Sequence, residues 1–281
     1  MSRLLITGGT GTVGTILVDY FLATGTYDSI VIFSRDEFKQ WEMRKRLSAH
    51  PDRKRLRFMI GDIRDAGRIR RAMEGVSVCI HTAALKQIDT AEYNPDECVK
   101  TNIDGTQNVI DACLHHNVRR MVFISTDKAI APCCLYGCTK ATAEKLVLHA
   151  KAFAGNRPTT FCVVRMGNIA FSRGSVIPYW KELKAQGKPI LVTDIDMTRY
   201  WVDGPELCRV VRGAIRASRS EVFIPYTLAF RLLDLITAFD HPVRIIGLRP
   251  GERLHERLTE RDSSDKPARF MTIQQLKEAI A

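Results

Sequence analysis

The sequence predicts an α/β fold, a doubly wound parallel sheet with a smaller C-terminal cap. Three observations lead there. Short apolar runs alternate with helical patterns through the first 166 residues. A glycine-rich turn directly follows the first run. Beyond Arg165 the alternation loosens, and Gly167, Gly174, Pro178, Gly187 and Pro189 punctuate residues 167–190.

The strand candidates are residues 4–7, 29–34, 56–60, 76–81, 120–125 and 160–165. They are short and rich in Val, Ile and Phe, as strands covered on both faces must be. Helical periodicity fills residues 12–23, 36–49, 65–73, 95–116 and 136–154. The later part predicts a strand at 190–193, a helix at 205–217, a strand at 222–224, a helix at 228–239 and a strand at 243–246. We divide the chain at residues 1–166, a dinucleotide-binding region that carries the reactive residues, and 167–281, mainly a substrate-binding cap interleaved with the core. Ligands of such folds lie at the carboxyl ends of the strands, between core and cap.

Composition narrows the class. With 281 residues, 45% hydrophobic and 26% charged, the chain is ordinary globular protein. No run approaches the roughly 18 apolar residues of a membrane helix. Met1-Ser2-Arg3 leads straight into a strand, which predicts a cytoplasmic protein without a signal peptide. The cysteines (79, 98, 113, 133, 134, 138, 162, 208) lack zinc-finger spacing, so reduced thiols and no metal are expected. The net charge is +11, and residues 44–57 are dense in Lys and Arg. That stretch reads as a solvated face, because no interleaved aromatics or reader motif accompany it; no nucleic acid is expected. The basic balance suits a pocket for multiply phosphorylated ligands.

Thr7-Gly8-Gly9-Thr10-Gly11-Thr12-Val13-Gly14 joins the first strand to the first helix. Gly8, Gly11 and Gly14 permit a tight turn, approach of a pyrophosphate and close helix packing. Thr10, Thr12 and Val13 line the same turn, and the helix N-terminus offers free N–H groups. This is a Rossmann-type dinucleotide site. Ser34, Arg35 and Lys39 at the end of the second strand favour NADP over NAD, because a cation suits the 2′-phosphate; Asp36 argues the other way. Asp62 and Ile63 end the third strand near an expected adenine. Ala83 and Ala84 end the fourth, where small residues admit the cofactor.

Tyr136 and Lys140 share one helix face at i, i+4. A free phenol has a pKa of about 10, and a nearby ammonium would favour phenolate. Thr126, at the end of the fifth strand, supplies a hydroxyl to orient a sugar oxygen. Tyr-x-x-x-Lys alone is common; behind the glycine loop and Ser125-Thr126 it is informative.

With these features the chain resembles the extended short-chain dehydrogenase/reductases, and within them the inverting UDP-N-acetylglucosamine 4,6-dehydratases. The resemblance covers about residues 3–260. It rests on Ser34-Arg35-Asp36-Glu37, Ala84-Leu85-Lys86-Gln87, Glu92-Tyr93-Asn94-Pro95, Ser125-Thr126-Asp127-Lys128-Ala129, Tyr136-Gly137 with Lys140, Gly174-Ser175-Val176-Ile177-Pro178, Met197-Thr198-Arg199 and Arg249-Pro250-Gly251-Glu252. It implies dehydration of a UDP-hexosamine through an NADP-mediated internal hydride transfer, with inversion at carbon 5. Tyr136 would take the carbon 4 hydroxyl proton, Lys128 the carbon 5 proton, and Asp127 would assist the leaving carbon 6 hydroxyl. Desolvation is expected to lower the Lys128 pKa enough for it to act as a base.

The resemblance also implies substrate contacts from Lys86, Asn168, Ser175, Val176, Pro178, Thr193, Met197, Arg199, Arg249 and Glu252. Arg199 and Arg249 suit a diphosphate. His255 reads as a helix-face residue, and Trp180 and Trp201 as core or interface. A homo-oligomer and a UDP-sugar ligand, without membrane association, complete the picture. Two departures stand out. The family usually has Asn before the proline in the loop ahead of the tyrosine, where this chain has Ala131-Pro132-Cys133-Cys134, and the tail after Arg261 is short. A UDP-hexose 4-epimerase, a non-catalytic NADP sensor and a dehydratase that stops at an unsaturated sugar are the competing readings.

Overall fold

The computed structural model describes residues 2–281. In chain order the strands are β1 (Arg3–Thr7), β2 (Ser29–Ser34), β3 (Leu56–Ile60), β4 (Val78–His81), β5 (Arg120–Thr126), β6 (Thr160–Met166), β7 (Asn168–Ile169), β8 (Ile190–Val192), β9 (Thr198–Val202), β10 (Val222–Phe223), β11 (Leu228–Arg231) and β12 (Val243–Ile245). The helices are α1 (Thr12–Ala23), α2 (Glu37–Arg46), α3 (Ala66–Ala72), α4 (Ile88–Tyr93), α5 (Pro95–Val99), α6 (Gly105–His115), α7 (Leu135–His149), α8 (Val176–Ala185), α9 (Gly204–Arg216), α10 (Leu232–Phe239) and α11 (Ile273–Ile280).

Seven strands form one sheet in the order β10-β6-β5-β4-β1-β2-β3, every pair parallel. The order reverses beside β1, which opens a crevice at the carboxyl ends of β1 and β4. In β1, Leu4 and Ile6 face α1 and α9, while Leu5 faces the side of α3 and α6; all three are fully buried. A strand with no solvated face has no reason to alternate, so its sequence is a continuous apolar run.

Two elements depart from periodicity. The helical pattern over 95–116 divides into α5, a wide π-type turn at Lys100–Asp104, and α6. The turn presents the buried Asn102, whose amide accepts from Leu85 N–H at 2.8 Å and donates to the Leu85 carbonyl at 2.9 Å. It thereby holds the loop after β4. The helix expected at 228–239 begins only at Leu232. Residues 228–231 are instead strand β11, paired antiparallel with β9. Tertiary pairing with Thr198–Val202 overrides the local helical preference there.

Residues after 167 return to the main sheet. β10 extends it beside β6, and Leu207, Val211 and Ala214 of α9 join the cluster beneath α1. A separate cluster gathers Ile177, Trp180, Leu235, Phe239 and Leu276. Trp180 is fully buried, meets Phe239 edge-on at 5.2 Å and donates its indole N–H to the Leu191 carbonyl at 2.9 Å. Among the described residues, no helix is long and apolar enough to cross a membrane, and no group of three or more His, Cys, Asp or Glu is placed to hold a metal.

Candidate active site

A cleft of about 610 Å³ runs along the carboxyl ends of the strands. At its floor, β1 meets α1 through the glycine loop. Gly8 has φ +64°, and a Cβ there would stand 2.8 Å from Ala83; one on Gly14 would stand 2.5 Å from the Gly8 carbonyl oxygen. Bare backbone is therefore required at both. Gly11 caps α1 with no side-chain bond, so the helix presents its first N–H groups to the cleft. His81 braces this corner, buried between the hydroxyls of Thr7 (2.6 Å) and Thr106 (3.0 Å). Burial, with the neighbouring Lys140, depresses its pKa to about 3, so it is a neutral strut.

Gly8, Thr10, Gly11, Thr12, Val13, Ser34, Arg35, Lys39, Asp62, Ile63, Ala83 and Ala84 all line the cleft, whereas Gly14 packs behind the loop. Asp36 caps α2, accepting from Lys39 N–H at 3.0 Å and pairing with Lys39 Nζ at 2.5 Å. Arg35 pairs with Asp62 at 3.6 Å. This loop, bounded by two cations and free helix N–H groups, fits a dinucleotide phosphate chain.

Thr126, Lys128, Tyr136 and Lys140 line the opposite wall together. Asp127 lies behind them, 1% exposed, and its Oδ1 accepts from the Thr126 hydroxyl at 2.9 Å and from Lys128 Nζ at 3.2 Å. Lys140 Nζ donates to the Ile124 carbonyl at 2.7 Å and sits 3.8 Å from the Phe123 ring centre. Burial lowers its pKa to about 7, against a smaller pull from Glu144.

Two expected directions are reversed. Burial pushes the Tyr136 phenol up to about 12, more than Lys128 pulls it down. Burial alone would depress Lys128, but Asp127 and Glu256 together outweigh it and raise its pKa. Glu256, 3.0 Å from Lys128 Nζ, went unrecognised in the sequence. Its one signal was its place just beyond the Arg249–Glu252 stretch.

On the substrate side, Lys86, Asn168, Ser175, Arg249 and Glu252 line the cleft. Val176, Pro178, Thr193, Met197 and Arg199 lie outside its lining. Val176 and Pro178 open α8, where a proline in the first turn forfeits no helical bond. Thr193 donates to Met197 Sδ at 3.3 Å. Arg199 spends its guanidinium on the carbonyls of Thr198 (2.8 Å), Leu254 (2.9 Å) and Arg253 (2.9 Å). Arg253 in turn donates to the Ile130 carbonyl at 2.8 Å, and Arg165 to the Leu258 carbonyl at 2.8 Å. These bonds stitch the irregular segment 249–258 onto β9, β6 and the loop after β5. A second lining residue missed in the sequence is Arg173, whose guanidinium donates to the Thr10 carbonyl at 2.8 Å.

Ala131, in the loop between Lys128 and Tyr136, has φ +41°. Asn tolerates that region and Ala does not, so the departure at this loop carries a local cost of about 1–2 kcal/mol. Ala131→Asn is expected to stabilise the protein by roughly 0.5–1 kcal/mol in urea unfolding, with turnover unchanged.

The model of a family described as polysaccharide biosynthesis protein matches residues 4–278. The chain is 43% identical over 268 residues to a UDP-N-acetylglucosamine 4,6-dehydratase (inverting) of Campylobacter jejuni subsp. jejuni serotype O:23/36 (strain 81-176), covering 93% of this chain and 78% of that one. It is 38% identical over 274 residues to a UDP-glucose 4-epimerase of Rickettsia rickettsii (strain Sheila Smith), covering 94% and 79%. Among solved structures, Pen from Bacillus thuringiensis superposes with a TM-score of 0.93 at 32% identity, covering 99% and 98%.

Proposed function

The chain belongs to the polysaccharide biosynthesis protein family, with the inverting UDP-N-acetylglucosamine 4,6-dehydratases among its relatives, and from that membership we propose that it dehydrates UDP-N-acetylglucosamine, or a close UDP-hexosamine, to a UDP-4-keto-6-deoxy sugar. The observation that carries this reading is the shared wall of Thr126, Lys128, Tyr136 and Lys140, with Asp127 directly behind it. An enzyme that merely oxidised and reduced one carbon would need Tyr136 and Lys140 but no second acid and amine.

The chemistry a bound nicotinamide dinucleotide supplies here is a reversible hydride sink, so the conversion is redox-neutral overall. Tyr136 takes the proton of the carbon 4 hydroxyl, which the Thr126 hydroxyl orients. Only its phenolate can do so, and the positive charge of a bound oxidised nicotinamide would favour that form against the burial that opposes it. The resulting ketone acidifies the hydrogen on carbon 5. Lys128 removes it after passing its own proton to Asp127 3.2 Å away, since only the neutral amine can act as the base. Asp127, an ionised partner of Lys128 in the resting site whose proton affinity burial raises, then gives the proton received from Lys128 to the departing carbon 6 hydroxyl. Arg249 supplies a cation for the UDP end, and Lys86 borders the sugar near Lys128. Inversion at carbon 5, location in the cytoplasm and assembly with further copies of the chain are parts of the same proposal.

We assign NADP as the cofactor. Asp36 lines the cleft but caps the α2 N-terminus and pairs with Lys39, so Arg35, held by Asp62 only at 3.6 Å, is the first side chain suited to a 2′-phosphate, with Lys39 one turn on. Fluorescence titration is expected to give tighter binding of NADP than of NAD, and the reverse order overturns the assignment.

The identity to a relative named as a 4-epimerase keeps that second reading in view. Incubation of UDP-N-acetylglucosamine in deuterated water separates the two. Dehydration gives a 6-deoxy-4-keto product carrying solvent deuterium, read by NMR and mass spectrometry. A galacto product without deuterium would establish epimerisation instead.

A further inference from the structure

Glu256 takes no part in the steps above, yet it is fitted closely to them. Its side chain is 3% exposed, and Oε1 stands 3.0 Å from Lys128 Nζ. Its backbone is clamped in both directions: Glu256 N–H donates to Ser264 Oγ at 2.8 Å, and Ser264 N–H donates to the Glu256 carbonyl at 2.8 Å. Ser264 Oγ is itself bonded to the Thr198 hydroxyl at 2.7 Å, so β9 anchors the pair. Glu256 Oε2 is buried and has no hydrogen-bond partner. A carboxylate buried with a vacant oxygen is costly unless a charge nearby repays it.

The groups around the amine are asymmetric. Asp127 meets Lys128 from its own turn and Glu256 from the 249–258 segment. Arg199 of β9 lies 4.0 Å from Glu256 Oε1, and Arg253 faces Glu256 from the same segment. Tyr136 and Cys134 face the amine from the start of α7, and Lys86 from the loop after β4. Two buried carboxylates thus hold the amine from behind while its side chain, 22% exposed, reaches the cleft.

We propose that Glu256 is a positioning residue for dehydration: its carboxylate fixes where the Lys128 amine points and how readily that amine gives up its proton. The proposal rests on the dehydratase reading for its place in the reaction, but the link between Glu256 and Lys128 can be read without turnover. The raised proton affinity of Lys128, to which Glu256 contributes, agrees with the geometry. Removing the Glu256 charge leaves Asp127 alone against desolvation and Arg199, so the amine should deprotonate at lower pH.

Competitive acetylation of Lys128 across pH, quantified by peptide mass spectrometry on the folded, cofactor-loaded protein, reads that ionisation directly. Glu256→Gln is expected to lower the labelling midpoint by about one pH unit or more, and to shift the acidic limb of kcat/KM in the same direction. At pH values above the midpoint, where the amine is neutral in both proteins, it should also lower kcat more than it raises KM through lost positioning, with Glu256→Asp recovering part of the loss. An unchanged midpoint in Glu256→Gln overturns the proposal. So does lost activity that follows a falling melting temperature with an unmoved pH profile. If Glu256→Gln does not fold, Glu256→Asp decides by the same labelling: a midpoint below the parent supports the proposal, and one equal to it refutes it. A parent protein that yields no 4-keto-6-deoxy sugar defeats the dehydratase reading alone, and the labelling result still decides the Glu256–Lys128 link.

Discussion

Lys128→Ala is expected to bind the dinucleotide as the parent does and to lose dehydration, with kcat falling about 100- to 10,000-fold. The glycine loop, Arg35 and Lys39 lie along the other part of the cleft, so their grip on the cofactor does not depend on this amine. What disappears is the group that removes the carbon 5 proton and the counter-charge for two buried carboxylates, Asp127 and Glu256. Asp127 can answer by holding a proton, as burial already inclines it to do. Glu256 keeps Arg199 at 4.0 Å. Some stability should still be lost, since breaking a buried pair leaves charge uncompensated. Cofactor titration, deuterium incorporation at carbon 5 and thermal unfolding measured together separate the chemical loss from the structural one. Near-parental turnover would remove Lys128 from the mechanism.

Gly137→Ala should be nearly as damaging, although this residue carries no chemistry. A Cβ at Gly137 would press into the Lys128 carbonyl oxygen and stand 3.1 Å from Pro132 Cβ. Backbone is not the yielding end of a flexible side chain, so the loop bearing Lys128 must move away from α7, which bears Tyr136. A displacement of about 1 Å between groups that act on adjacent carbons costs on the order of 100-fold in rate. Overpacking adds roughly 1–3 kcal/mol of destabilisation. The expected signature is a large fall in kcat with a modest fall in melting temperature. A variant that turns over like the parent would mean that the loop adapts without moving the amine.

Five of the first six strands could be read from the sequence because burial on both faces leaves an unmistakable apolar run, as Ile30 to Phe33 of β2 illustrate. β3, at the margin of the sheet with Arg57 and Ile60 exposed, is legible only by its short β-forming stretch. Among the later elements β8, α9, β10 and β12 fall where the sequence predicts them, but β9, β11 and α8 do not. β9 and β11 are defined by pairing with each other, a contact between residues about thirty positions apart that no local period reports. α8 hides because Pro178 resembles a breaker, although in a first turn it breaks nothing.

The reactive wall shows the same division. Thr126, Tyr136 and Lys140 follow from spacing on one strand and one helix. The protonation of Lys128 does not, because Glu256 reaches it from a distant segment. Sequence neighbours suggested desolvation; the fold added a second anion. Arg199 shows the converse, a guanidinium suited to a diphosphate that the structure commits to three main-chain carbonyls. Nothing around Arg199 in the sequence distinguishes those two uses.

The short strand β10 has a consequence out of proportion to its two residues. By lying parallel against β6 it occupies main-chain bonding positions that would otherwise face solvent at that margin of the sheet. A gene cut after codon 166 would encode every reactive side chain of the β5–α7 wall and yet leave β6 with a bare ribbon of peptide groups, flanked by Phe161, Val163 and Val164. Such a flat, apolar margin invites strands from other molecules. The fragment should therefore gather into insoluble material during expression, and the part of the chain after residue 166 acts, among its other duties, as a stopper on a surface that would otherwise recruit its neighbours.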